Sequence, residues 1–393
     1  MILCGLMLLM GTSSFASHLM GGYIQAYQVG NTDTVDVWVT LFSDPQGISV
    51  QSVTLNEYKL SNGFYQSNGT FTITNPNAGF FQGYNVQTYH TKRYLTNGDY
   101  RFVYTNCCRG SLSNASSAMN SSFTIGLDYQ KSNISNSAPV LLNFLPMVWT
   151  SGTPSQTMMF VFDVDGDSIL IEKDDALNQY ANGTFVPLAP YSQLSNYGSY
   201  FVNTNGVITW NPNTQGKFGT GYKISEYRNG SLIGLNRIQQ VYDVVQGSTP
   251  SITNPFNMVF NSDSTVSIEH DLLDGDSLYV GFMASNITNA QLFIYGVPTI
   301  DMATTTWSIP NLQLGEYEGF LRLRNANCLV DYPLNLVVTS TIGIEENVSD
   351  MDTSYEVYDW TGKYIGKDVN WEELSGFYII KHSNGTIEKI YNI

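Results

Sequence analysis

Three aspartates, Asp163, Asp165 and Asp167, stand at alternate positions around Gly166. Carboxylates converging from one loop supply the hard oxygen ligands that Ca2+ takes, which makes this loop a candidate calcium site. Asp271, Asp274 and Asp276 offer a second acidic loop around Gly275, with a different spacing. Neither loop is an EF-hand, since no Glu occupies the twelfth position of the loop that Asp163 opens. The same residues could instead form a tight hairpin turn whose Asp side chains cap backbone amides. Catalytic chemistry has no comparable grouping. His18, His90, His270 and His382 are scattered, without the His-Glu-x-x-His spacing of a zinc hydrolase or the Gly-x-Ser-x-Gly elbow of a serine one. Asp174-Asp175 and Glu372-Glu373 read as solvated turns or faces, not as acid/base couples. The expectation is a non-enzymatic protein with no catalytic residues and Ca2+ as its cofactor.

The elements that must position these aspartates come in duplicate. Asp165-Gly166-Asp167-Ser168 recurs as Asp274-Gly275-Asp276-Ser277, each copy running into an apolar segment, Ile169-Leu170-Ile171 or Leu278-Tyr279-Val280. Ser137-Ala138-Pro139 and Ser248-Thr249-Pro250 precede them; Thr209-Trp210 and Thr306-Trp307 follow, with Pro212 and Pro310 close behind. Equivalent landmarks lie 97 to 111 residues apart. One unit is therefore written twice, over residues 135–246 and 247–340, at about the length of a single β-sandwich of roughly 100 residues. Trp210 and Trp307 read as the core anchors of the two copies. Leu321 and Leu323 alternate with Arg322 and Arg324, a pattern that places a charged face outward.

Composition supports an all-β chain of tandem β-sandwich domains. Of 393 residues only 13% are charged, while Tyr, Phe and Gly are abundant; aromatic side chains suit a pleated surface and Gly its turns. A net charge of −16, with 17 Lys and Arg in total, argues against a nucleic-acid partner, because phosphates must be neutralised by cationic side chains. Residues 1–16 read as a signal peptide, with an apolar run from Ile2 to Met10 and Ser14-Phe15-Ala16 as a small-x-small cleavage site. No later stretch is apolar enough for a transmembrane segment. Cys107, Cys108 and Cys328 then remain, an odd number whose pairing stays open.

Residues 17–134 read as an N-terminal β-sandwich domain. Val35, Val37, Val39 and Leu41 alternate with Asp36, Trp38, Thr40 and Phe42, the pattern of a half-buried strand. Further strands are expected around residues 70–74, 84–89 and 100–104, with turns at Asn62-Gly63, Asn68-Gly69 and Asn97-Gly98. The polar stretch from Gly110 to Ser122 reads as a loop with no packed face.

Several of these motifs together carry a resemblance. His18-x-x-Gly21-Gly22, Leu41-Phe42-Ser43-Asp44, Cys107-Cys108-Arg109, Ser137-Ala138-Pro139, Asp165-Gly166-Asp167-Ser168 and Glu226-Tyr227-Arg228-x-Gly230 occur in the order found in a family of secreted Bacteroidetes surface proteins. These resemble the gliding-motility-associated and adhesin-like chains. The resemblance implies an N-terminal β domain followed by immunoglobulin- or cadherin-like repeats at 135–246 and 247–340. Two positions depart from the family pattern: Tyr23 stands where Glu is usual and Pro45 where Cys is usual, which removes a disulfide from that Cys to the Cys107-Cys108 pair. Residues 341–393 resemble the type A sorting domain of type IX secretion, carried by Leu374-Ser375-Gly376-Phe377-Tyr378-Ile379 and a final Lys389-Ile390-Tyr391. The implied partners are the type IX secretion machinery and an unknown surface protein or glycan ligand, with the protein secreted or held on the cell surface, at the outer-membrane exterior. The implied role is structural or adhesive, stiffened by calcium. A carbohydrate-binding surface protein and a β-sandwich hydrolase are the alternatives, the first requiring an exposed row of aromatics and the second two carboxylates converging in a cleft.

Overall fold

The computed structural model describes residues 19–247, apart from 31, 48–49, 108, 142–146, 164 and 182, and beyond them the strands between Met258 and Asn392 with a few of their side chains. The signal-peptide segment, His18 and the aspartates 271, 274 and 276 lie outside the described residues. The chain is all-β, and among the described residues its strands are joined by turns and two short 3-10 segments.

The first eight strands are β1 (Leu19–Gln28), β2 (Thr34–Ser43), β3 (Ser52–Ser61), β4 (Phe64–Thr74), β5 (Asn77–Phe81), β6 (Tyr84–Tyr94), β7 (Gly98–Asn106) and β8 (Phe123–Lys131). Short strands β9 (Val140–Leu141), β10 (Val148–Thr150), β11 (Ser155–Met158) and β12 (Val161–Phe162) lead to β13 (Ser168–Asp174), the hairpin β14 (Leu177–Ala181) and β15 (Thr184–Pro187), then β16 (Gly198–Val202) and β17 (Val207–Pro212). Two long strands, β18 (Gly216–Arg228) and β19 (Ser231–Val245), form the backbone of this region. They meet at Asn229-Gly230, where φ values of 52° and 76° make the two-residue turn that suits a twisted hairpin.

One twelve-stranded sheet runs β4-β3-β7-β8-β19-β1-β2-β6-β5, with β18 on β19, β13 on β18, and β10, paired in parallel, on β19. The joint expected near residue 134 therefore does not separate two sheets. β19, from the far end of the 135–246 unit, pairs with β18 along one edge and, along the other, with β8 at Gly234 to Arg237 and then with β1 at Gln239 and Gln240, both of the 17–134 unit. The physical reason is that β1 and β8 each have a free edge that a single long strand can satisfy at once.

Two cores result. One gathers Ile24, Val37, Leu41, Phe102, Ile125 and Tyr129 among the N-terminal strands. The other gathers Tyr23, Phe42, Trp149, Trp210, Phe218 and Tyr242. β1 and β2 contribute to both, so β2 is not the half-buried strand its alternation predicts: Asp36, Thr40 and Phe42 are buried as well as the valines. The second core covers what would otherwise be a solvent face.

Two further expectations change in detail. Asn68-Gly69 is not a turn but a β-bulge within β4, where pairing passes from Glu57↔Gly69 to Tyr58↔Ser67. Its extra residue, Asn68, donates its side-chain amide to Glu57 Oε1. The 110–122 loop does have a packed face. Leu112, Ala115 and Ala118 enter the second core, and the buried Asn114 bonds both the N–H and the C=O of Gly219 in mid-β18. An asparagine that matches a backbone donor and acceptor together can be buried without loss.

The later strands are β20 (Met258–Phe260), β21 (Thr265–Glu269), β22 (Ser277–Ala284), β23 (Leu292–Pro298), β24 (Thr304–Ser308), β25 (Gly315–Arg324) and β26 (Leu329–Val338). Their pairings follow those of the first copy. β11 pairs with the Trp210 strand β17, as β21 does with the Trp307 strand β24; β13 pairs with β18 and β18 with β19, as β22 does with β25 and β25 with β26. A final four-stranded antiparallel sheet has the order β28-β27-β29-β30, from β27 (Tyr355–Asp359), β28 (Tyr364–Lys367), β29 (Gly376–His382) and β30 (Ile387–Asn392).

Arg322 corrects the reading of β25. It is buried, and its guanidinium grips the fully buried Asp331 at 2.7 and 2.9 Å across the β25–β26 pair. Asp331 Oδ2 also accepts from the Thr157 hydroxyl at 2.6 Å and the Met158 N–H at 3.1 Å on β11. With four donors around it, the carboxylate can stay charged away from water, so alternation here does not mark an outward face.

Candidate cation site

The aspartates of the first loop lie between β12, which pairs with β9, and β13, which pairs with β18. The turn is thus a crossing between two sheets and not a hairpin. Gly166, at φ 80°, allows the reversal, and its N–H donates to Asp163 O at 3.3 Å. Asp163 is buried, and its Oδ1 accepts the backbone N–H groups of Asp165 and Asp167 at 2.9 and 3.0 Å. This is the amide-capping use of the loop, but it occupies only one oxygen. Asp163 Oδ2 is buried with no hydrogen-bond partner.

Asp165 turns away from the other two. Its Oδ2 accepts the Ser137 N–H at 2.6 Å, joining the Ser137-Ala138-Pro139 segment to the turn. In its place the fold supplies Glu226, near the end of β18, where Glu226 lies opposite Ile169. One carboxylate oxygen from each of Asp163, Asp167 and Glu226 falls within 4.8 Å of the others. Glu226 is 0% exposed, and neither of its oxygens has a hydrogen-bond partner. Room for it comes from Gly234, its partner on β19: a Cβ there would collide with Glu226 Oε2.

Arg228, two residues on, closes the other side. Its guanidinium donates to both Asp167 oxygens, from Nε at 2.8 and 3.1 Å, and reaches Ser135 O at 3.1 Å and Asn136 Oδ1 at 3.0 Å. Arg228 is thus the clamp between the acidic turn and residues 135–136. Arg228 also lies 4.0 Å from Asp165 Oδ2, so one guanidinium is set against four carboxylates and the site carries excess negative charge. Burial pushes the Glu226 carboxyl up to about 9, the nearby charges of Asp163 and Asp167 adding to the effect. Burial also pushes Asp163 up to about 7, against the stabilising backbone donors. Such a group must gain either protons or a cation.

Sequence reasoning missed Glu226. The available signal was that Glu226-Tyr227-Arg228-x-Gly230 and Asp165-Gly166-Asp167-Ser168 belong to one ordered set of motifs. In the second copy the register that pairs Ile169 with Glu226 pairs Leu278 with Leu323, so no carboxylate holds the equivalent strand position.

Other candidates resolve differently. Trp210 is a core anchor, edge-on to Trp149 at 5.5 Å and to Phe218 at 5.6 Å. His90 stacks on Trp38 at 4.1 Å and meets Asp36 Oδ1 at 2.8 Å. Cys107 is disulfide-bonded. Among the described residues the most exposed aromatics, Phe64, Phe80, Tyr94 and Phe201, are spread over β4, β5, β6 and β16 and form no row along one strand. No helix of the described residues is long and apolar enough to cross a membrane.

No family model matches the chain, and no curated protein matches it. Among solved structures, it is similar to the FN1–FN3 domains of chicken CNTN1 at 10% identity, over 82% of this chain and 99% of that one, with a TM-score of 0.18. It is similar to the BSP domain of a biofilm associated protein at 10% identity, over 85% and 68%, with a TM-score of 0.19. An ICAM-5 D1–D4 ectodomain fragment aligns at 10% identity over 81% and 76%, with a TM-score of 0.17. Likenesses this loose establish neither fold nor function.

Proposed function

We propose that this protein is an exported structural or adhesive component of the cell surface that acts by holding its shape and not by catalysis. The observation that carries this reading is the position of β1. It lies between β2 and β19 inside the large sheet, buried along its whole length. Peeling it away breaks two ladders of hydrogen bonds and exposes two cores together, an arrangement suited to a chain under tension. The ties of Arg228 to residues 135–136 and of Asp331 to β11 act in the same sense, each fastening segments far apart in sequence. On this reading residues 341–393 direct passage through a type IX route to the outer-membrane exterior.

The test is surface fractionation and attachment measured in cells with and without the full chain. The expected result is exposure to added protease on intact cells, and loss of attachment or envelope integrity in the deletion strain. A chain retained in the cytosol, or a deletion strain that attaches and withstands shear like its parent, overturns the proposal. Removing residues 341–393 tests the route separately, since unchanged surface display would discard the sorting role.

A further inference from the structure

We infer that Asp163, Asp167 and Glu226 form a buried site for one divalent cation of the calcium type, built in the first copy of the repeated unit and not in the second. The inference goes beyond the surface role and does not depend on it.

The geometry fits a hard cation. Ligands about 2.4 Å from one Ca2+ ion can be no more than about 4.8 Å from one another, and the three carboxylate oxygens all lie within 4.8 Å of one another. Mg2+ fits less well, because it keeps several waters in a strict octahedron and two of the three carboxylates, Asp163 and Glu226, are buried. The donor set is all oxygen, which disfavours the softer transition metals. Charge agrees in sign: four carboxylates, Asp163, Asp165, Asp167 and Glu226, are set against the guanidinium of Arg228, an excess of negative charge that a cation would offset.

The second argument is independent of the clustering. Glu226 is fully buried with both oxygens unpartnered, and Asp163 Oδ2 is buried without a partner too. Leaving a buried acceptor unsatisfied costs about 1–3 kcal/mol, and more when it is charged. Asp163 and Glu226, which carry these unpartnered atoms, each give one oxygen to the cluster with Asp167, so one ion there would supply both with a partner. Gly234 is part of the design, because any side chain there would push Glu226 off that point.

The ion would bind three elements into one. Asp163 and Asp167 sit on the crossing between β12 and β13, while Glu226 stands on β18 beside the hairpin to β19. Asp165 and Arg228 already join this turn to residues 135–137. Calcium would thereby stiffen the region where the 17–134 and 135–246 segments meet.

The experiment is calorimetric titration of the full, chelator-stripped chain with CaCl2 and separately with MgCl2, paired with thermal melts. Wild type is expected to bind calcium in preference to magnesium and to melt several degrees higher with it. Glu226→Gln should remove one equivalent of calcium, or weaken it at least tenfold, while the metal-free chain melts no lower than wild type, because the amide can donate to the neighbouring carboxylates. Asp163→Asn is the second variant: its amide oxygen keeps the two backbone bonds of Oδ1, so it should fold and lose the same equivalent. Any calcium bound by the Asp271, Asp274 and Asp276 loop persists in both variants and is thereby told apart. No calcium binding by wild type at millimolar concentration overturns the inference, as does binding unchanged in both variants. A wild type without a calcium response whose Glu226→Gln form melts alike would show that protons, not a metal, neutralise the cluster.

Discussion

Replacing Arg228 by methionine removes the cation that clamps the acidic turn while nearly preserving side-chain volume. The Arg228 side chain is 20% exposed and that of Asp167 6%, so the pair lies nearer the buried limit than the surface one. Breaking a buried pair by removing one partner costs about 3–5 kcal/mol, whereas exposed pairs are worth about 0–1 kcal/mol. For this partly screened site we expect a loss of about 2–3 kcal/mol in Arg228→Met. At roughly 2–4 °C per kcal/mol for a domain of this size, the melting temperature should fall by about 4–12 °C. The pairwise part is isolated by a double-mutant cycle with Asp167→Asn, for which we expect a coupling of about 1–3 kcal/mol. Urea unfolding followed by tryptophan fluorescence is the assay, carried out in chelator so that metal does not replace the lost charge; Trp149 and Trp210 report from the core beneath β18. A coupling below about 0.5 kcal/mol would show that the guanidinium merely fills space, and the clamp argument would fail.

Gly230→Ala places a Cβ in open space but at φ 76°, so only backbone strain is added; a loss of about 1 kcal/mol in urea midpoint with an unchanged slope is expected. Asp331→Ala leaves Arg322 buried without its counter-charge and strips the acceptor from Thr157 and Met158; a loss of about 3–5 kcal/mol is expected, read as earlier protease cleavage between the two copies. Without divalent metal, stability should also fall as pH rises. Glu226 titrates at about 9 in the folded chain against 4.5 for an ordinary Glu, so between these values the folded state holds a proton that the unfolded state has released. Melting temperatures in chelator should be highest near pH 5 and decline toward pH 9, and a flat profile would contradict the burial of Glu226.

The duplicated landmarks and the strand content are legible in the residues alone, because they rest on local turn chemistry and on spacing along the chain. The acidic loop is legible as far as Asp163 and Asp167, whose neighbours are near in sequence. What the residues alone could not disclose depends on partners distant in the chain. Val35 to Phe42 alternates like a half-buried strand, yet Asp36, Thr40 and Phe42 are buried too, Phe42 in a second core whose Trp149, Trp210 and Tyr242 come more than a hundred positions later. Arg322 alternates like a solvent-facing charge until Asp331 and β11 enclose it. Glu226 reaches Asp163 only through the β13–β18 register and the space left by Gly234, so the third carboxylate of the cluster was decided by tertiary structure. Local sequence sets turns and periodicity, whereas burial and the convergence of like charges are properties of which strands end up side by side.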